Sequence, residues 1–339
     1  MHTLARLLCY SEKMAEPNGL SFENLTPELI LGAVETHTGL FLDGVINPYN
    51  SYVNRVFGVT DEDEKDYIVK FYRSGRWSRE AIADEFAFLA DCASVEIPVV
   101  LPIGTIGEAG GFYFAVFPRI RARTFDIITD EDWIRVGSLV GRIHGIAGKN
   151  AAPHRLRCNP EETTSRYIAN LIDNRLVHPD CLEDFSRICA EALSIVNPLF
   201  ESLPAKALHR IHGDCHRGNI LTGRDNALTI IDFDDMMTGP AIQDLWLLLP
   251  GHIGDSMREM NLILEGYGEF SEFDRRTIAL VEPLRFMRNI YFLNWCAIQK
   301  DDAGFASRFP DWGNRAFWIT ETEDLSTQLD YLRQTSVYL

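Results

Sequence analysis

The hydrophobic pattern of the chain changes near Pro118, and this change constrains the fold more than any other feature. Before Pro118, apolar residues come in short alternating runs separated by turn-forming residues, which is typical of β-strands. After it, they recur every three or four residues over long stretches, which is typical of amphipathic helices. With 339 residues, the chain is longer than one typical domain. The sequence therefore predicts an α+β protein with a small β-rich lobe followed by a larger helical lobe.

The β-rich part predicts a small antiparallel sheet with one helix. Residues 52–72 predict a hairpin, because two apolar alternations flank a run of acidic residues. Ser78 is a good N-cap for a helix that follows it directly. Two further strands are predicted at 99–106 and 112–117, on either side of a turn at 107–111.

The second half predicts mainly helices. One helix is expected from about Asp130, and a long helical stretch is expected over 163–196. Two more helical patterns cover 275–299 and 317–332. No internal repeat or low-complexity linker interrupts this order.

Charge and hydropathy exclude two kinds of partner. The 49 acidic residues outnumber the 32 basic ones, giving a formal charge of −17, which opposes an extended hold on phosphate backbones. Nucleic acid is therefore not an expected partner. The longest apolar runs, such as 242–250, are much shorter than the ~20 residues that span a bilayer, so no membrane partner is expected.

The N-terminus and the cysteines favour a cytoplasmic protein. The apolar run at 4–10 is short and has no cleavage pattern after it, so no secretion signal is predicted. Met14 offers a second start, which makes residues 1–13 a dispensable leader in our interpretation. The seven cysteines are odd in number and scattered, as reduced thiols in a cytoplasm are.

Three polar residues between apolar strand-like segments carry the main chemical signal. Asp214 and Asn219 lie five residues apart, the spacing of the carboxylate and the amide in a kinase catalytic loop. Asp232 directly follows an apolar run, as a metal-binding aspartate of a kinase does. Phosphoryl transfer needs a carboxylate that orients the attacking hydroxyl and oxygen ligands that hold magnesium against the phosphates. The combined spacing predicts a phosphotransferase.

Lys70 and Glu85 extend this signal. Lys70 interrupts an apolar strand, where a charged group must be paired or must reach a wet cleft. An ordinary lysine on an edge strand is the alternative. Glu85 shares the apolar face of the helix after Ser78, so it needs a buried partner. We predict that the two residues form the ion pair that positions the nucleotide phosphates in kinases.

Two motifs carry a family resemblance. The sequence His-Gly-Asp-x-His-x-Gly-Asn at 212–219, with Ile-Asp-Phe at 231–233, resembles the aminoglycoside and choline phosphotransferase branch of the kinase fold. Within that branch, further segments resemble the bacterial stress response kinases, from about residue 22 to near the C-terminus. Those segments are 50–56, 69–73, 111–118 and 239–246.

The resemblance implies a two-lobed protein-kinase-like fold of the aminoglycoside phosphotransferase type. The expected boundaries are an N-terminal extension at 1–21, a nucleotide-binding lobe at 22–117 and a hinge at 118–124. A larger lobe at 125–339 is expected to carry the catalytic loop and the acceptor cleft.

The resemblance also implies a function. It implies an ATP- and magnesium-dependent serine/threonine protein kinase of the cytoplasm that acts in the stress response, with autophosphorylation possible and a monomer expected. Asp214 is then the proton acceptor, Asn219 and Asp232 hold magnesium, and Ser51 lies near the nucleotide.

Two departures from protein kinases keep alternatives open. The glycine-rich loop that covers the phosphates is replaced by 47–51, where Asn50 and Ser51 could form a cap without glycine. The interval from Asp232 to Gly239 leaves no room for a long activation loop. A small-molecule kinase with an alcohol, aminoglycoside or choline-like acceptor is therefore the first alternative. A nucleotide-binding scaffold without activity is the second.

Neighbouring residues allow further interpretations. Asp234 either adds a metal ligand or serves as a turn residue, and Asp244 either caps a helix or supports the catalytic loop. His144 is expected to pack or to donate a hydrogen bond beneath the site. A zinc site is disfavoured because its ligands lack a separated second pair. The residues concerned are His209, His212, Cys215 and His216.

Overall fold

The structure is a computed structural model that describes residues 22–49, 51, 53–224, 226–302 and 304–334. The expected extension at 1–21 lies outside these residues, as do Asn50 and Tyr52 of the expected phosphate-capping segment. Within the described ranges, no helix has both the length and the apolar character needed to cross a membrane.

The first part of the chain forms a five-stranded antiparallel sheet with two helices. In space the strands follow the order β1-β2-β3-β5-β4. Helix α1 (Pro27–Thr38) precedes the sheet, and helix α2 (Arg79–Ser94) follows β3. The strands are β1 (Leu42–Tyr49), β2 (Arg55–Asp61), β3 (Asp66–Phe71), β4 (Gly107–Ala109) and β5 (Phe112–Pro118).

The predicted hairpin is confirmed, and its acidic tip has a structural reason. The Asp61 carboxylate accepts hydrogen bonds from the Asp63 and Lys65 backbone amides, at 3.0 and 2.9 Å. It also accepts one from the Tyr67 hydroxyl at 2.7 Å. Because side-chain acceptors satisfy the turn amides, the two strands can reverse over few residues.

Three details of this lobe differ from the predictions. Residues 99–106 form no strand, because Pro98 and Pro102 lack amide donors and only Val99 makes an isolated bridge. Part of the expected turn at 107–111 is strand β4. Strand β1 and helix α1 were not predicted, although Thr26 caps α1 and Pro27 occupies its first turn.

Helix α2 begins as predicted. The Ser78 hydroxyl accepts a hydrogen bond from the Ala81 amide at 3.2 Å. The buried face of the helix holds Ile82, Phe88 and Leu89, and the Glu85 side chain lies on that same face, with 1% of its surface exposed. A carboxylate is thereby brought into the interior on an otherwise apolar surface.

The second part of the chain is mainly helical, as predicted. The expected helix at 163–196 is interrupted, because Arg175 adopts a positive φ of 55° and Pro179 follows. The helices are α3 (Asp130–Ala147), α4 (Thr164–Asp173), α5 (Leu182–Glu201), α6 (Ile242–Trp246), α7 (Met257–Tyr267), α8 (Val281–Gln299), α9 (Phe305–Arg308) and α10 (Arg315–Arg333).

Short strands of this lobe hold two loops side by side. Strand β7 (Leu208–Ile211) pairs with β10 (Met237–Pro240), and β8 (Ile220–Thr222) pairs with β9 (Leu228–Ile230). Residues 212–219 therefore connect β7 to β8, and residues 231–236 connect β9 to β10. Strand β6 (Arg123–Thr124) pairs with β8, so the chain crosses between the two lobes over 119–122.

Candidate active site

The loop after β7 carries Asp214 and depends on a glycine. Gly213 adopts a φ of 84°, in the left-handed region that disfavours other residues. A Cβ atom at this position would lie 2.1 Å from the backbone oxygen of Asp235. The glycine therefore allows the loop after β7 to lie directly against the loop after β9.

Asp244 anchors the same loop from α6. Its carboxylate accepts hydrogen bonds from the backbone amides of His212 and Gly213, at 2.7 and 2.8 Å. His144 Nε2 lies 2.9 Å from the same carboxylate. Burial alone would raise the pKa of Asp244, but the hydrogen bond and the charge of His144 outweigh it and lower that pKa. Of the two interpretations of Asp244, loop support is confirmed.

Hydrogen bonds inside the loop fix its shape. His212 Nε2 lies 2.9 Å from the Ile231 carbonyl oxygen, and His216 Nδ1 accepts from the Gly218 amide at 2.9 Å. The Asn219 amide nitrogen donates to the Asp214 carbonyl at 3.0 Å. The histidines therefore hold the loop, and the motif residues Asp214 and Asn219 are tied together directly.

The Asp214 carboxylate faces a cation from the far end of the chain. Arg288 of α8 donates from one guanidinium nitrogen to Asp214 Oδ1 at 2.8 Å. The other oxygen, Oδ2, lies 3.5 Å from His216 Nε2, beyond an ordinary hydrogen bond. One carboxylate oxygen is thus engaged, and the other remains available to an acceptor.

Lys70 reaches the loop after β9. Its ammonium nitrogen lies 3.1 Å from Asp232 Oδ1 and 3.4 Å from Asp234 Oδ1. Glu85 Oε1 is at 3.6 Å, so the structure brings the expected pair within ion-pair distance. Strand β3 is central in the sheet, which contradicts the alternative of an edge-strand lysine.

Two arginines complete the ion cluster around Lys70. Arg155 donates to Glu85 Oε2 at 2.9 Å and also to the backbone oxygens of Ala81 and Asp234. Arg76 pairs with Asp234 at 2.7 Å and with Asp235 at 2.6 Å. These contacts tie helix α2 to the loop after β9, and three cations stand against four carboxylates.

The cluster fixes the charge state of its members. Burial alone would lower the pKa of Lys70, but the carboxylates of Asp234, Glu85 and Asp232 outweigh it and hold that pKa well above its usual value. Burial would likewise raise the pKa of Asp234. The cations Arg76, Lys70 and Arg155 reverse this effect and lower it. Both side chains are therefore ionised at neutral pH.

A cavity of about 410 Å³ lies between the two lobes, with apolar walls and one charged end. Val56, Ile68 and Phe117 line it from the first lobe, and Leu221 and Ile230 line it from the second. Lys70, Glu85, Asp232 and Ser51 also border it. This lining suits a flat heterocycle on the apolar side and phosphates on the charged side.

The oxygen donors near the charged end fit a divalent cation. Asp232 has a φ of 64° and a side chain that is 52% exposed, so its carboxylate can reach a ligand. In the adjacent loop, the Asn219 amide nitrogen is engaged with the Asp214 carbonyl, so the amide oxygen is the atom of this side chain that can face a ligand. In the described ranges, no group of three or more His, Cys, Asp or Glu residues could hold a metal by itself. Two protein ligands with water and phosphate oxygens are what magnesium accepts.

Asp234 is held by protein partners instead. Asn54 donates to Asp234 Oδ2 at 3.1 Å, and Arg76 pairs with the same oxygen. Lys70 faces Oδ1. Through these contacts, Asp234 in the loop after β9 links the second lobe to three residues of the first lobe.

Comparison with known proteins identifies the family. Residues 45–281 match the phosphotransferase enzyme family. The chain belongs to this family. It is 35% identical over 331 residues to stress response kinase A of Escherichia coli (strain K12), covering 95% of this chain and 98% of that protein. It is 34% identical to the serine/threonine protein kinase RdoA of Salmonella typhimurium, with the same coverage of both chains.

A solved phosphotransferase has the same fold. The amicoumacin kinase hAmiN, determined in complex with AMP-PNP, Ca²⁺ and Ami, aligns with a TM-score of 0.67 at 18% identity. The alignment covers 89% of this chain and 94% of that kinase. The predicted fold class, the family resemblance and the interpretation as a phosphotransferase are thereby confirmed.

Three arginines of this phosphotransferase were not predicted as site residues. Arg76, Arg155 and Arg288 are buried and contact the residues that the motifs indicated. A signal existed for Arg288, since it interrupts the apolar face of a helix, as Glu85 does. Arg155 lies in a loop without a periodic pattern, so no comparable signal identified it.

Proposed function

We propose that this protein transfers the γ-phosphoryl group of ATP, with magnesium, to serine or threonine hydroxyls of proteins, including its own. The observation that carries the proposal is that Lys70 and Asp232 line the cavity between the lobes, next to the loop that holds Asp214 and Asn219 together. The Ile231 amide, adjacent to Asp232, donates to the Asn219 carbonyl oxygen at 3.0 Å and joins the two loops. Because one chain supplies residues on both sides of this cleft, a monomer suffices for the reaction.

Each residue has a distinct part in the proposed reaction. Lys70, held among carboxylates, contacts the nucleotide phosphates, and Glu85 fixes Lys70 from helix α2. Ser51 lines the same cavity and contacts the phosphates. Asp214 Oδ2 accepts the proton of the attacking hydroxyl. The hydroxyl oxygen forms a bond to the γ-phosphorus while the bond from that phosphorus to the bridging oxygen breaks, and ADP leaves.

Asn219 and Asp232 would hold the magnesium ion. When bound, the ion neutralises charge on the phosphate oxygens. The excess of carboxylates over cations in the cluster around Lys70 favours a cation at this end of the cavity, and Asp232 is its most exposed carboxylate.

The proposal that the acceptor is a protein rests on the relatives of this chain. Two of them are named as a stress response kinase and as a serine/threonine protein kinase, and they align over nearly their whole length. We extend that acceptor class and the role in the stress response to this chain. The six cysteines that the structure describes are unpaired and buried, which supports a cytoplasmic location. A small-molecule acceptor is the second candidate, because the amicoumacin kinase shares the fold.

Transfer of label from γ-labelled ATP tests the proposal. Wild type and Asp214→Ala are compared with magnesium on basic proteins and on a panel of small alcohols, followed by phosphoamino acid analysis. Asp184→Ala is the matched control, since Asp184 is an exposed aspartate of α5 that pairs with a surface arginine.

The outcomes separate the candidates. We expect label on serine or threonine that Asp214→Ala abolishes and Asp184→Ala preserves. Label on a small alcohol alone would assign the second candidate. ATP binding without any transfer would support the scaffold that lacks activity.

A further inference from the structure

Helix α8 brings a buried arginine to the Asp214 carboxylate. Arg288 is 2% exposed, and its guanidinium lies 2.8 Å from Asp214 Oδ1. The neighbouring residues of α8, such as Leu284 and Tyr291, belong to the apolar core. A charged side chain in such surroundings needs a specific partner, and the structure provides one across 74 residues of sequence.

Stability alone does not explain this pair. A buried ion pair contributes little compared with apolar residues of similar size, because both charges lose their hydration. An apolar side chain at position 288 would serve the core of α8 equally well if no charge faced it. The structure places the Asp214 carboxylate against Arg288, and the proposed reaction needs that carboxylate.

The other neighbour of the carboxylate adds no charge. His216 Nε2 lies 3.5 Å from Asp214 Oδ2, and His216 Nδ1 accepts a hydrogen bond from the Gly218 amide, so that nitrogen is unprotonated and the imidazole is neutral. Of the contacts that the structure describes for this carboxylate, only the one to Arg288 brings a positive charge. Arg288 engages Oδ1, which leaves Oδ2 for the acceptor proton.

We propose that Arg288 is a positioning residue that fixes the rotamer of Asp214 and selects Oδ2 as the proton-accepting oxygen. This inference rests on the proposed phosphoryl transfer and adds a residue to it from the helix on the acceptor side. A planar guanidinium restrains a carboxylate in direction as well as distance, which an ammonium group does not.

Chemical rescue separates positioning from packing. In Arg288→Ala, removal of the guanidinium group is expected to lower kcat about 100-fold while KM for ATP changes less than about twofold. Guanidinium at a concentration that does not denature the protein is expected to restore kcat at least about tenfold. Arg288→Lys is expected to recover only part of kcat, because it restores the charge without the planar geometry.

The matched control lies on the same helix. Arg285 is one turn earlier, contacts Glu282 at 3.3 Å and the Gly251 carbonyl at 2.7 Å, and touches a different part of the core. Guanidinium is expected to leave kcat of Arg285→Ala unchanged. Equal rescue of both variants, or a kcat of folded Arg288→Ala within about threefold of wild type, would contradict the inference.

A thermal measurement keeps the pair testable without activity. Arg288→Ala leaves the Asp214 charge buried without its cation, so adding Asp214→Asn is expected to raise the midpoint of unfolding of Arg288→Ala. A double variant no more stable than Arg288→Ala would contradict the pair itself. Failure of wild type to transfer phosphate would contradict only the proposed function, because this thermal comparison does not depend on it.

Discussion

The two sides of the cleft hold their charges differently. On the nucleotide side, Lys70, Arg76 and Arg155 share four carboxylates, so most members have more than one partner. On the acceptor side, one described ion pair, from Arg288, holds Asp214. A shared cluster tolerates the departure of one partner, whereas a single pair does not. The nucleotide side can therefore release Lys70 to phosphates, while the acceptor side keeps one fixed geometry.

Among the variants of the nucleotide side, the largest expected effect is the loss of the exposed carboxylate. Asp232→Asn should lower kcat/KM about 1,000-fold, because the amide cannot match the charge that a metal ion requires. Folding stability should change little, since the side chain is half-exposed and Lys70 retains other partners. Steady-state kinetics with a thermal melt checks both parts. A large drop in the unfolding midpoint would mean that Asp232 holds the fold.

A smaller loss is expected for the cation of the shared cluster. Lys70→Met should raise KM for ATP roughly tenfold to 100-fold, because one phosphate contact is lost. Arg76 and Arg155 still balance Asp234 and Glu85, so the protein should remain folded. ATP titration at several fixed acceptor concentrations checks this. If KM for ATP is unchanged and KM for the acceptor changes, Lys70 acts in acceptor binding and not in ATP binding.

Gly213 joins the two sides, so its substitution tests their contact. Gly213→Ala should lower the free energy of unfolding by about 2 to 3 kcal/mol, since it combines backbone strain with a clash against Asp235. Gly44→Ala is the control, because Gly44 has a φ of 86° with nothing within 4 Å of the added Cβ. Its cost should be only about 1 kcal/mol. Equal costs in chemical denaturation would show that the loops are not in close contact.

The smallest expected effect is a pH dependence on the nucleotide side. The cations around Asp234 lower its folded pKa, so its contribution to stability is complete above its unfolded pKa of about 3.9. That contribution is lost as pH falls through the lower folded value. Asp234→Asn should therefore show a flatter loss of stability below about pH 4 and parallel wild type above about pH 5. Unfolding midpoints across this range check the slopes, and identical slopes would contradict the assignment.

The residues named from sequence were those with a local signal. The spacing of Asp214 and Asn219 lies within one short loop, and the helix face carrying Glu85 follows from periodicity. Lys70 stood out because a charge interrupts an apolar strand. The order of a β-rich lobe and a helical lobe also followed from periodicity alone.

The site residues that were not named from sequence depend on tertiary contacts. Arg155 meets Glu85 across 70 residues, and Arg288 meets Asp214 across 74, so no local pattern identifies either pair. The expected strand at 99–106 failed for a local reason, since its prolines remove donors from an otherwise apolar run. Helix α1 was missed although its cap and first-turn proline were visible.

The central claim is that the nucleotide side governs ATP binding and the acceptor side governs transfer. Calorimetric titration of magnesium-ATP into Asp214→Asn and Lys70→Met, with turnover measured on the same samples, tests it most directly. We predict that Asp214→Asn binds ATP within about twofold of wild type but transfers no phosphate, whereas Lys70→Met binds at least about tenfold more weakly. Loss of ATP binding in Asp214→Asn, or wild-type binding in Lys70→Met, would contradict the claim.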